Sequence, residues 1–208
     1  MYLIVFIYLI VAYFIPEVGI AALICMVGPI IMAVRKGRYW CGHYCPRGDL
    51  YDKIARFSPH MRNLKFLRAK SFRVFMLFLV FGMFGVQIYM NGWTWAGVGR
   101  AFWSMILMTT VVGVLLGFIC APRSWCSFCP VGTLAAWVTP RRMKKGFSAV
   151  CVSTACQVKC KRCAKVCPMQ LTPYDSRGDE NGYLHPDCIK CGSCIKACPT
   201  KVMSLKKM

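Results

Sequence analysis

Apolar residues gather into four runs in the first 120 positions, at roughly 2 to 15, 18 to 34, 72 to 90 and 103 to 120. At about 1.5 Å of helical rise per residue, the last two are long enough to cross a hydrocarbon core of about 30 Å, whereas the first two are short. Pro16-Glu17 separates the short pair. One unbroken helix over both would reach about 50 Å, so a tight hairpin is expected there. A signal peptide is the alternative for the start, but no Lys or Arg precedes the apolar stretch and no small-residue cleavage site follows it. The last 65 or so residues are polar and rich in Lys and Cys. The pattern divides the chain into a membrane part, residues 1–145, and a soluble part, residues 146–208.

Composition sharpens this division. A chain of 208 residues with 57% hydrophobic content and a formal charge of +20 does not describe one soluble globule. The charge is also unevenly placed: eleven Lys and Arg lie from Arg35 to Arg73 and fifteen more follow the fourth run, while the opposite side holds Arg100. Basic loops stay inside, which predicts a multi-pass protein of the inner (cytoplasmic) membrane with both basic regions in the cytoplasm. The opposite loop, with Trp93, Trp95 and Trp103, suits an aromatic belt at the outer interface. Nucleic acid is not an expected partner. Anionic lipid at the membrane surface balances much of this basic charge.

Fifteen cysteines in a chain facing a reducing compartment point to metal ligation rather than disulfides. Cys188, Cys191, Cys194 and Cys198, followed by Pro199, make the C-x2-C-x2-C-x3-C-P run of bacterial two-cluster ferredoxins. A second run, Cys156, Cys160, Cys163 and Cys167 followed by Pro168, has three residues in its first gap. In such runs the fourth Cys serves the neighbouring cluster. One [4Fe-4S] cluster is therefore expected on Cys156, Cys160, Cys163 and Cys198, and another on Cys188, Cys191, Cys194 and Cys167. Cys151 is an alternative to Cys156, and four-cysteine zinc is an alternative metal, although two successive Cys-Pro endings favour iron and sulfide.

The remaining cysteines repeat. WCGHYCPRGDL, from Trp40, and WCSFCPVGTL, from Trp125, share Trp-Cys, a short gap, Cys-Pro, then Gly and Leu at matching offsets. They predict two hairpin units, each delivering a Cys pair to the cytoplasmic end of its second helix. Cys41 and Cys45 with Cys126 and Cys129 supply four thiolates, the complement of a third [4Fe-4S] cluster at the membrane surface. Structural zinc or reduced thiol pairs are the alternatives, and Cys120 competes with Cys126. Pro46, Pro130, Pro168 and Pro199 follow the ligands as cofactor-site residues.

On these motifs the chain resembles the membrane-bound polyferredoxins of the NapH, NosR and CcoG type, departing by one residue in the second pair, where two residues separate the cysteines instead of three. The resemblance covers nearly the whole chain. It implies an α-helical membrane protein of about four transmembrane helices with a C-terminal α+β 2[4Fe-4S] ferredoxin domain. It also implies electron transfer between a cytosolic donor or the quinone pool and partner redox subunits of a membrane complex. No nicotinamide-binding motif is present, and His43, His60 and His185 all lie outside the apolar runs, which leaves no bis-His haem pair within the bilayer. His43, Tyr44, Asp49 and Asp52 form a candidate quinone pocket, with Asp49 also a candidate N-cap for a helix carrying Leu50, Ile54 and Phe57 on one face. The alternative function is a copper or metal-ion reductase or assembly factor. Most of the thirteen Met residues, however, stand singly in apolar runs, as ordinary hydrophobes do.

Overall fold

The computed structural model describes residues 1–54, 65–139, 148–179 and 182–207. His60 and Phe57 lie outside these residues. Two compact units emerge, Met1–Gly28 with Tyr44–Thr133, and Pro29–His43 with Leu134–Met208.

In the first unit, α1 (Leu3–Phe14) stops before Pro16, which opens a 3-10 turn, Pro16–Ala21, leading into α2 (Ala22–Lys36). The Tyr8 hydroxyl donates to the Gly19 carbonyl at 2.9 Å, so the chain does fold back on itself at the expected place. This turn packs on α6 (Trp95–Ile119) through glycines. A Cβ on Gly19 would stand 2.2 Å from the Gly99 carbonyl oxygen, and one on Gly99 would stand 1.7 Å from that of Pro16. Only hydrogen at both positions allows so close an approach.

Among the described residues, three stretches are long and apolar enough to cross a membrane: Pro16–Lys36, Lys70–Asn91 (α5) and Trp95–Ile119, of 21, 22 and 25 residues. They mark a membrane protein. The expectation of about four spans is not met in full, because Leu3–Phe14 has 12 residues and covers only about 18 Å. Between α5 and α6, Gly92 turns at φ 81° and Thr94 caps α6, its hydroxyl accepting the Gly97 N–H at 3.1 Å. Trp93 and Trp95 are exposed at this turn.

Two short helices carry the second Cys-Pro motif, α7 (Ser124–Phe128) and α8 (Pro130–Val138), and the first motif likewise lies on α3 (Tyr39–His43) and α4 (Pro46–Ile54). Helix α4 begins at Pro46, whose fixed φ and missing N–H suit a first helical position. Asp49 therefore lies within the first turn and is not the N-cap; its carboxylate accepts the Tyr2 N–H at 2.8 Å. Tyr51, Trp125 and Phe128 form a buried aromatic cluster with Ile54 packed against it. The Tyr51 hydroxyl reaches α6 at Gly113, where a Cβ would come within 2.1 Å of it. Asp52 takes a two-pronged ion pair from buried Arg123, at 2.7 Å to Nε and 2.5 Å to the terminal nitrogen.

In the second unit, β1 (Ser148–Val152) pairs antiparallel with β2 (Met203–Lys207), Val150 opposite Leu205. Val150, Val152, Cys163 and Met203 make its core, closed by Tyr174 and Tyr183. One-turn helices α9 (Arg162–Lys165) and α10 (Ser193–Lys196) carry the middle cysteines of the two runs.

Candidate metal centres

The two cysteine runs of the tail fold as copies. Cys160 and Cys191 are each followed by a left-handed residue, Lys161 (φ 48°) and Gly192 (φ 76°), and then by the single turn of α9 or α10 bearing Cys163 or Cys194. After each Cys-Pro the backbone turns again: Gln170 (φ 51°) donates to the Cys167 carbonyl at 2.8 Å, and Lys201 (φ 52°) to that of Cys198 at 3.3 Å. Alternating right- and left-handed residues aim successive N–H groups into a concavity suited to an iron–sulfur cluster that is net negative once its thiolates are counted.

The fold sorts the eight cysteines into two cavities. One is lined by Cys188, Cys191 and Cys194 together with Cys167 from the other run, and by Pro168. The other is lined by Cys156, Cys160 and Cys163 together with Cys198, and by Pro199. Each run thus contributes three thiols to one cavity and one to the other. Cys151 lies instead in β1, opposite Ser204. A tetrahedral zinc holds its sulfurs about 2.3 Å from one point. Among the described residues no three His, Cys, Asp or Glu side chains gather to hold a single ion. Four thiols spread around a cavity wall fit the corners of a cubane better.

Electrostatics fits a cationic iron core that displaces protons. Burial, reinforced by the neighbouring thiolates, pushes the Cys188 thiol up to about 11 and Cys194 up to about 12. Burial also raises Cys163, with Cys156 adding to it. Cys198 differs: slight burial opposes its ionisation, but the Thr200 hydroxyl and the N–H groups of Val202, Thr200 and Lys201 together lower it. The Thr200 oxygen lies 3.6 Å from Cys198 Sγ, and the Ser193 hydroxyl lies 3.3 Å from Cys191 Sγ.

In the membrane unit, Cys126 and Cys129 pack against the Tyr51–Trp125–Phe128 cluster. Arg47 sits over the Trp125 ring at 5.8 Å and donates to the Tyr51 hydroxyl at 3.3 Å. Burial works against charge on Arg47, but Tyr51 and the thiols of Cys129 and Cys45 outweigh it and hold the guanidinium charged. Tyr51, pushed up to about 12 by burial, also faces Cys126 and Cys129. Cys45 and Cys129 therefore face the Arg47 charge, and Cys126 faces the Tyr51 hydroxyl to which Arg47 donates. Cys41 stands on α3, in the second unit, and Cys120 closes the end of α6. His43, also on α3, stacks on Tyr39 with ring centroids 3.8 Å apart. Sequence reasoning missed Arg47, although it directly follows a Cys-Pro; it also missed the Asp52–Arg123 pair and the hydroxyls of Ser193 and Thr200.

Comparison with known families matches this geometry. A model described as a 4Fe-4S binding domain matches residues 18–65 and again 99–148, and one described as a 4Fe-4S dicluster domain matches residues 155–203. The chain is an iron–sulfur protein. In this iron–sulfur protein the repeated match falls on the two segments that carry the Cys-Pro pairs, and the dicluster match spans the eight cysteines that line the two tail cavities. The chain is similar to an uncharacterized protein of Methanocaldococcus jannaschii, 28% identical over 162 residues, covering 73% of this chain. It spans 60% of that relative's length. No solved structure matches. Iron–sulfur domains of this type suit electron transfer, since a four-iron cluster supplies one-electron chemistry without bond breaking.

Proposed function

We propose that this protein is a membrane-bound electron-transfer subunit with three [4Fe-4S] clusters, relaying electrons between a carrier on the cytoplasmic side and quinone or a partner redox subunit in the membrane. Cys156, Cys160, Cys163 and Cys198 hold one tail cluster, and Cys167, Cys188, Cys191 and Cys194 hold the other. The observation that carries this reading is the sorting of eight thiols into two four-thiol cavities by exchange of one Cys between the runs. Cys41, Cys45, Cys126 and Cys129 hold the third, supported by the repeated family match and by the Arg47 charge beside two of them, Cys45 and Cys129. The chain's own contribution is to exclude water with the aromatic cluster, to set hydroxyl and N–H groups against the sulfurs, and to offset cluster charge with Arg47. The basic distribution supports a cytoplasmic tail.

Iron and acid-labile sulfide, measured anaerobically on the intact chain and on a Cys41→Ala plus Cys126→Ala variant, test the stoichiometry. About twelve irons should fall to about eight. About eight in both would reduce the protein to a membrane-anchored two-cluster ferredoxin.

A further inference from the structure

The two halves of the tail are alike in backbone, and one of them is gripped by the segment that carries Cys41. Arg38, 1% exposed, donates to the carboxylate of buried Asp187 at 3.0 Å, across 149 residues of sequence. Asp187 directly precedes Cys188. Four residues beyond Arg38, Gly42 lies so close to Ile189 that an added Cβ would stand 2.3 Å from its carbonyl oxygen. Ile189 is itself buried and sits between Cys188 and Cys191. Cys41 is thus bracketed by two contacts, and both fall on the loop that supplies Cys188 and Cys191.

Such a buried ion pair is an expensive way to gain stability, because both charges must be desolvated, but it fixes register well. Glycine at position 42 serves the same end by letting two backbones touch. We infer that the half of the tail built on Cys167, Cys188, Cys191 and Cys194 is the one joined to the membrane-surface Cys-Pro pairs, with Arg38 as the positioning residue that holds the Cys41 turn against the Asp187–Cys191 loop. This rests on Cys41 being a cluster ligand, as proposed above. The half built on Cys156, Cys160 and Cys163 is then left as the face for an outside one-electron carrier. Each electron passed oxidises one centre and reduces its neighbour by one, with no bond made and no proton moved.

The test uses the full-length, anaerobically purified chain reduced with dithionite and read by electron paramagnetic resonance. The signal that disappears in Cys41→Ala plus Cys126→Ala is the membrane-surface one. Its broadening by a neighbouring reduced centre should persist in Cys160→Ser and vanish in Cys191→Ser. Arg38→Gln should narrow it with iron content kept, and Arg38→Lys should restore much of it. The reverse dependence on Cys160 and Cys191, or an unchanged signal in Arg38→Gln, overturns the inference. If no signal is lost in the double variant, it is the three-cluster reading that fails. Hydrogen exchange on the unmutated protein gives a second measure that does not rely on any variant folding. Amides of residues 38–43 and 187–191 should open as one unit, at least about tenfold more slowly than exposed loops, and independent opening would sink the clamp.

Discussion

At the scale of single residues, the eight tail thiols repeat in spacing but not in environment. Lysine has no preference for left-handed backbone, so nothing in the composition marks Lys161 as the counterpart of Gly192. The thiols also differ in ways spacing cannot express. In cluster-free protein at pH 8, a raised thiol leaves less thiolate, so iodoacetamide should label Cys198 before Cys188, and Cys194 more slowly still. Raising the pH towards 10 should narrow the gap, as peptide mass mapping of timed samples would show. In loaded protein, Thr200→Val removes a hydroxyl beside Cys198 Sγ. A donor there stabilises the more negative, reduced centre, so a potentiometric titration should find the Cys198 site's potential lowered on the order of tens of millivolts, the other tail site staying put.

At the scale of elements, apolar length located the spans and proline located the break. The helix start at Pro46 displaced the expected cap at Asp49, since a favourable N1 proline outcompetes a later carboxylate. The first apolar run looked like a span by composition but yields too short a helix. Glycine contacts separate critical from permissive positions. Gly99→Ala should destabilise the detergent-solubilised protein by about 1–3 kcal/mol, since its Cβ collides with backbone at Pro16. Gly85→Ala, with nothing within 4 Å of the new methyl, should be neutral or stabilising by up to about 1 kcal/mol. Thermal unfolding of the two variants side by side measures the contrast.

At the scale of the whole molecule, the asymmetry of Lys and Arg makes a definite prediction: a reporter that is active only in the cytoplasm should be active when fused after Met208, and one that needs export should be inactive there. The opposite result would put the clusters on the oxidising side. What no pattern in the sequence announced is that Pro29–His43 belongs to the same compact unit as the tail. Local periodicity reports on neighbours a few positions apart, whereas Arg38 and Asp187 are 149 apart. That separation bears on how the protein is made. Arg38 leaves the ribosome 149 residues before its partner, so the grip between them cannot form until that stretch of chain has been made. The early segment must wait, already tethered to the bilayer by α2, while iron and sulfide reach the cysteines downstream. A shortage of either during synthesis should therefore show itself as a membrane-inserted but protease-sensitive chain, cut first around residues 38–43.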